Sequence, residues 1–238
     1  MSEWAPKRFW KTTEVAPVDA GFTVLLDGRG IKTPAKTPIH VPTEGLARAL
    51  ATEWDAQEDK VNPATMPYTR TTNSALDKVA TQHAEVADML AAYGDSDLLC
   101  YRADHPEELV QRQALLWDPM LDWLDQTFAV RLTPVAGVIH APQDPAGQAT
   151  LTREVHALSP FQLAAFHDLV AMSGSLVLAL AAARGAADLE ELWELSRLDE
   201  LWQEEQWGKD EEAQAKAEYK RGEFLHAGRY FALATAQG

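Results

Sequence analysis

The chain has 238 residues, and 46% of them are hydrophobic, which is enough to build a core without disulfides. Its 36 acidic and 21 basic side chains give a formal charge of −15, which disfavours nucleic acid and anionic membranes as partners because both would be repelled. The single cysteine, Cys100, excludes an internal disulfide and fits a reducing compartment. The longest apolar run, residues 169–183, is too short and too interrupted for membrane insertion.

The first 42 residues carry the pattern of strands and turns. Apolar residues alternate there, which predicts strands near residues 22–26, 30–33 and 39–41. Within the stretch LDGRGIKTP, Asp27-Gly28 favours a tight hairpin turn because both residues tolerate positive φ. A phosphate-binding loop is the alternative, but Lys32 does not directly follow a glycine and Pro34 opposes the helix that such a loop needs.

From Thr43 onward the hydrophobic period changes to about 3.6 residues, as in helices. Thr43 is the expected N-cap of the first helix, which carries Leu46, Leu50 and Trp54 on one face. Further helices are predicted over residues 73–94, 106–128, 160–184 and 188–222. The predicted fold is α+β, with a β-rich N-terminal domain over residues 1–62 and a mainly helical domain over 63–238 that has an extended segment near 130–142.

The sequence offers little for catalysis or metal binding. None of the seven histidines has the spacing of a known metal motif, and His83 lies on an apolar helical face, where a hydrogen-bonded core histidine is expected. A buried structural cysteine is the expected role of Cys100. Paired carboxylates at Asp95 and Asp97 leave open an enzyme with an unrecognised site, although such pairs are common in turns.

The C-terminal third contains a strongly acidic segment. Residues 190–212 hold ten acidic and two basic side chains, a net charge of −8, together with three tryptophans. One interpretation is a solvated helix that keeps an acidic protein soluble. The other is a protein-binding surface, because crowded like charges on a helix cost about 0.2–0.5 kcal/mol per pair, and large aromatics beside them supply contact area.

Five stretches stand out in order along the chain: RFWKT (8–12), LDGRGIKTP (26–34), VPTEGLARALATEWDAQ (41–57), DSDLLCYRADHPEELVQRQALLWDPMLDW (95–123) and SRLDELWQEEQWG (196–208). In this order they resemble the assembly chaperones of the F-type ATP synthase that act on its alpha subunit, the "ATP-twelve" family, in its alphaproteobacterial form. The resemblance covers most of the chain. It implies a chaperone without enzyme activity or cofactor that binds the free alpha subunit and shields its beta-facing interface until the hexamer forms.

The resemblance also implies roles for particular residues. Its C-terminal acidic motif falls on Glu200, Gln203, Trp207, Gly208 and Glu211. Client binding is expected at Glu200, Gln203, Glu204 and Glu211, and a structural role at Trp207 and Gly208. Its EWD-Q motif, on Glu53, Trp54, Asp55 and Gln57, adds Trp54 as a structural residue, and Trp54 and Trp207 are both expected to be core anchors.

The first ten residues lack the character of a signal or transit peptide, so a bacterial cytoplasmic location is expected, with the mitochondrial matrix for eukaryotic relatives. An enzyme with a carboxylate site, or a structural subunit of another complex, stays as the alternative.

Overall fold

The computed structural model describes residues 7–19 and 21–235, and in these ranges it has five β-strands and ten α-helices, which confirms the α+β class. The strands are β1 (Thr13–Val18), β2 (Gly21–Leu26), β3 (Arg29–Gly30), β4 (Tyr101–Arg102) and β5 (Val135–Ala136). The helices are α1 (Glu44–Asp55), α2 (Pro67–Asp77), α3 (His83–Ala91), α4 (Glu107–Phe128), α5 (Pro145–His156), α6 (Pro160–Ser173), α7 (Leu176–Arg184), α8 (Leu189–Ser196), α9 (Leu198–Trp207) and α10 (Glu211–Thr235). Most of the segment on which the localisation expectation rests lies outside the described residues.

The chain divides into two compact units, neither of which is one continuous run of residues. Unit 1 contains the described residues up to His83, the segment Ser159–Ala165 and the end of α10 from Arg229. Unit 2 contains Ala84–Leu158 and Phe166–Gly228. The predicted domain boundary between residues 62 and 63 rests on the change from strands to helices along the sequence. It stays a prediction.

The sheet of unit 1 confirms the hairpin interpretation of the LDGRGIKTP stretch. Strands β1, β2 and β3 are antiparallel neighbours, and the pairing of Leu26 with Arg29 leaves Asp27 and Gly28 as a two-residue turn. Both turn residues have positive φ, 47° and 78°. Strand β1 was not predicted, and the predicted strands near 30–33 and 39–41 are reduced to β3 and to isolated bridges such as Phe22 with Val41.

The helices of unit 1 confirm one prediction and correct another. The hydroxyl of Thr43 accepts the N–H of Leu46 and caps α1, as expected. The prediction of one helix over residues 73–94 is wrong, because α2 begins at Pro67 and the chain leaves the α-helical conformation between α2 and α3. The early start has a tertiary cause: the carboxylate of Glu53 accepts the N–H groups of Tyr68 and Thr69, two donors that a helix start leaves without helical partners.

Unit 2 is built around α4 and α7, which pack against each other. Helix α4 agrees with the predicted 106–128, but the predicted helix over 160–184 is interrupted between α6 and α7, where Gly174 has a φ of 71°. The predicted helix over 188–222 is three helices, α8, α9 and α10, because the chain turns at Arg197 and again at Gly208. Helix α5 was not predicted, and β5 lies in the segment near 130–142.

Candidate functional site

Helix α9 forms the middle of the acidic segment and presents one polar and aromatic face to solvent. Successive residues of an α-helix turn by about 100°, so Glu200, Gln203 and Trp207 fall on one face. All three are exposed, and Trp207 exposes 79% of its surface. We call these three residues the outer strip. A large aromatic ring left in water beside a carboxylate is typical of a protein-binding surface.

The opposite face of α9 is held against α4. Leu198 is buried, and the guanidinium of Arg112 lies 5.1 Å from the ring centroid of Trp202. The same group donates hydrogen bonds of 2.9 Å to both carboxylate oxygens of Glu205. Leu198, Trp202 and Glu205 lie on the side of the helix opposite the outer strip. Their contacts therefore hold α9 in place and leave the outer strip exposed.

Two more side chains of α4 fix the chain where α8 meets α9. The amide of Gln113 donates to the carboxylate of Asp199 at 2.7 Å. The indole N–H of Trp117 donates to the carbonyl of Leu195 at 2.9 Å. Because Gln113 and Trp117 are both buried, α9 is positioned by the core of unit 2.

Glu204, a third predicted client-binding residue of this helix, is already paired. Its carboxylate accepts a hydrogen bond of 3.1 Å from Arg197, and the side chains of Glu204 and Arg197 are only 16% and 18% exposed. A partner would have to displace Arg197 to reach this carboxylate. Glu204 is therefore less available than Glu200 or Gln203.

Glu211, the fourth predicted client-binding residue, lies in a different helix. It is the first residue of α10 and is exposed, next to Asp210, whose carboxylate accepts the N–H of Ala213 at 2.7 Å. An acidic side chain in the first turn also interacts favourably with the helix dipole, so Glu211 has a local structural reason to be acidic. A client-binding role for these four residues stays a prediction.

The expectation that Trp207 is a core anchor is wrong, because most of its side chain is exposed to solvent. The chain turns at Gly208, whose φ of 89° favours glycine, and the residues that follow do not cover the ring. The N–H of Gly208 donates to the carbonyl of Glu204 at 3.0 Å and ends the helix. Trp54, in contrast, is half-buried, with its ring centroid 5.3 Å from that of Trp10.

The residues around Trp54 have structural roles in unit 1. Glu53 is buried and caps α2, and burial raises the pKa of its carboxyl, while its hydrogen bonds to Tyr68 and Thr69 act in the other direction. The buried amide of Gln57 donates to the carbonyl of Glu53 at 2.9 Å. Within the EWD-Q motif, Glu53 thus joins α1 to α2, and Gln57 bonds to the backbone of α1.

The paired carboxylates of the enzyme alternative do not form a common site. Asp97 is fully buried and accepts hydrogen bonds from the hydroxyl of Ser175 at 2.8 Å and from the N–H of Val177 at 3.0 Å. Asp95 instead accepts the N–H of Gln143 at 2.8 Å and lies 3.2 Å from the ring of His140. Each carboxylate orders a separate segment of the backbone.

Cys100 is buried, as expected. Burial, reinforced by the nearby charge of Asp97, raises the pKa of its thiol to about 12, so the thiol stays protonated at neutral pH. Among the described residues, no three His, Cys, Asp or Glu side chains are grouped so that they could hold a metal ion. Over the same ranges, no helix has the length and apolar character needed to cross a bilayer.

The fold is α+β, and one face of α9, which carries a carboxylate, an amide and an indole ring, is exposed to solvent. The ATP12 chaperone protein family matches residues 7–125. The chain belongs to this ATP12 chaperone family.

Solved structures and a curated relative agree with this assignment. The crystal structure of Atp12 from Paracoccus denitrificans has a TM-score of 0.94 and 46% identity, covering 98% of this chain and 100% of that chain. A structure from Agrobacterium tumefaciens has a TM-score of 0.89 and 43% identity, covering 95% of this chain and 85% of that one. The mitochondrial atp12 protein of Schizosaccharomyces pombe is 26% identical over 219 residues, which are 87% of this chain and 75% of the relative.

Proposed function

We propose that this ATP12-family chaperone acts in assembly of the F-type ATP synthase by binding the free alpha subunit in the bacterial cytoplasm. In this function the chaperone covers the beta-facing interface of the alpha subunit until the catalytic hexamer forms. The observation that carries the proposal is the outer strip, in which Glu200, Gln203 and Trp207 are exposed while the back of the same helix is fixed.

The physical need for such a protein follows from the client. A subunit that will later be enclosed in a hexamer exposes a large interface when free, and exposed apolar patches of this kind lead to aggregation. An exposed tryptophan supplies contact area, while carboxylates select a client surface with basic groups. Reversible binding is sufficient for this role, and it requires no catalytic group.

The proposal is tested by capturing the protein, tagged at its N-terminus, from its own cell lysate and identifying the bound chains by mass spectrometry. We expect the alpha subunit without a stoichiometric amount of beta. Glu200→Lys should reduce the captured alpha subunit. Glu191→Lys is a matched control, because Glu191 is also exposed and acidic but lies in α8, outside the outer strip.

Two results would count against the proposal. Absence of the alpha subunit from the wild-type capture would overturn the choice of client. Equal capture by the wild type and Glu200→Lys would show that the client binds away from the outer strip.

A further inference from the structure

A groove of about 360 Å³ lies along one flank of α9, between α8 and the first half of α10. Its lining includes the apolar side chains of Trp193, Leu201 and Ala217. Each of the three helices contributes residues at spacings of three or four, so each turns one stripe towards the groove. The groove was not predicted from sequence. Its lining residues come from three helices, whereas the hydrophobic pattern predicted a single helix over residues 188–222.

The arginines that line the groove are already neutralised by carboxylates. Arg221 donates to Glu190 at 2.7 Å and to Glu218 at 2.8 Å. Arg197 pairs with Glu204. These guanidinium groups therefore order the walls of the groove and offer little attraction to an anionic ligand.

The lining also has a carboxylate that is not paired with an arginine, and this negative charge favours a cationic ligand. Glu194 lines the groove, is exposed and has no ion-pair partner in the described part of the chain. Lys209 also lines the groove, but the segment around it, residues 190–212, carries a net charge of −8. A basic side chain would find a free carboxylate in Glu194 and a negative surrounding field.

We propose that this groove is a second contact of the chaperone, and that it takes an extended segment of the unassembled client. In that segment, an aliphatic side chain packs on Leu201 and Ala217, above the buried ring of Trp193, and a Lys or Arg side chain pairs with Glu194. The groove is continuous with the proposed binding surface, because Glu204 lies both in its wall and at the edge of the outer strip. Its volume is at the lower end of the range of ligand pockets, which suits a few side chains better than a folded element.

This inference rests on the proposed function, and its test fills the groove without changing the outer strip. Ala217→Trp places a large ring in the groove, whereas Ala215→Trp places the same ring on an exposed part of the same helix that does not line the groove. Binding of the purified alpha subunit is measured for both variants by titration. We expect Ala217→Trp to weaken binding about ten-fold or more and Ala215→Trp to leave it within about two-fold.

A second pair of variants tests the charge. Glu194→Lys should weaken alpha-subunit binding by about five-fold, and more strongly at low salt, while Glu191→Lys, with the same change of charge on the same helix, should have a smaller effect. A photoreactive phenylalanine at position 217 should form a cross-link to a client peptide that contains Lys or Arg. The same group at position 215 should not.

The outcomes separate the groove from the function. If wild type binds the alpha subunit and Trp207→Ala weakens binding, but Ala217→Trp and Glu194→Lys bind as well as wild type, the groove is not a client contact and the proposed function stands. If wild type does not bind the alpha subunit, both proposals are overturned.

Discussion

The two faces of α9 carry the same kinds of residue in different surroundings. The inner face has Trp202 and Glu205, and the guanidinium of Arg112 joins them by stacking on the ring and donating to the carboxylate. The outer face has Trp207 and Glu200, which have no such partner among the residues that the structure describes. A tryptophan and a glutamate are therefore present on both faces, and residue type alone does not determine which pair stabilises the fold and which pair is exposed. The neighbouring helix decides it, because α4 supplies a cation on one side only.

The inner face of α9 is expected to contribute to stability, and the outer face to recognition of a partner. Changes on the α4 side should lower the free energy of unfolding, because they remove buried contacts. Changes on the outer strip should leave the free energy of unfolding nearly unchanged and alter binding only. Substitutions of Trp117, Trp207 and Arg112 test that division, and a substitution of Asp97 tests the packing of α7 within the same unit.

The largest effect is expected for Trp117→Ala. Trp117 is fully buried, and its N–H donates to the carbonyl of Leu195, so the substitution leaves a cavity and removes a buried hydrogen bond. We expect a loss of about 3–5 kcal/mol in the free energy of unfolding, measured by urea titration followed by circular dichroism. Trp207→Ala is the control, since it removes the same side chain from the exposed face. Similar losses for the two variants would contradict the division of the two faces.

The next effect is expected for Asp97→Asn. Asp97 accepts N–H and O–H donors at the start of α7, and an asparagine would turn an amide donor towards at least one of them. We expect a loss of about 2 kcal/mol in the free energy of unfolding at low pH. Asp95→Asn is a useful control, because Asp95 is only half-buried.

The pH dependence of that loss follows from the pKa of Asp97. Burial raises the pKa of the folded carboxyl above its ordinary value of 3.8. The folded protein therefore binds this proton more tightly than the unfolded chain does. The resulting stability is fully present below about 3.8 and is lost as pH rises through the folded pKa. The gap between wild type and Asp97→Asn should thus shrink as pH rises above 3.8 and through the raised pKa of the folded carboxyl, and a gap that widens would contradict this assignment.

Local sequence patterns predict the parts of the fold that depend on neighbouring residues. The Asp27-Gly28 turn, the Thr43 cap and the extent of α4 are examples, because each is determined within a few residues. The start of α2 could not be predicted in this way, since it depends on a carboxylate from α1. The break before α7 likewise depends on Asp97, which is 78 residues from Ser175 in the chain.

For the candidate site, the sequence identifies the acidic helix but not which side of it is free. The family pattern points to Glu200, Gln203 and Trp207, and their exposure makes all three accessible. It also suggests that Trp207 is buried, which is wrong, because burial depends on what packs against the ring. The spacing of Leu198 and Trp202 indicates the inner face of α9, but only the position of Arg112 shows that this face is occupied.

On the outer strip, Trp207→Ala should change binding and spare the fold. We expect the alpha subunit to bind more weakly by about 2 kcal/mol, as for a tryptophan at the centre of an interface, with less than about 0.5 kcal/mol lost in the free energy of unfolding. Binding is measured by titration and unfolding by urea. Tyr219→Ala on α10 is a control of another exposed aromatic. A large loss of stability with Trp207→Ala would mean that the ring supports the fold.

The smallest effect is expected for Arg112→Lys, which tests whether the inner face positions the outer one. Lysine keeps the charge but loses the planar group that stacks on Trp202 and donates to both oxygens of Glu205. Both charged side chains are partly exposed, so solvent screening limits the loss in the free energy of unfolding to about 0.5–1 kcal/mol. If Arg112 also fixes the orientation of α9, binding of the alpha subunit should weaken although Arg112 is outside the outer strip. Unchanged binding beside the small loss of stability would show that Leu198, Gln113 and Trp117 are sufficient to position the helix.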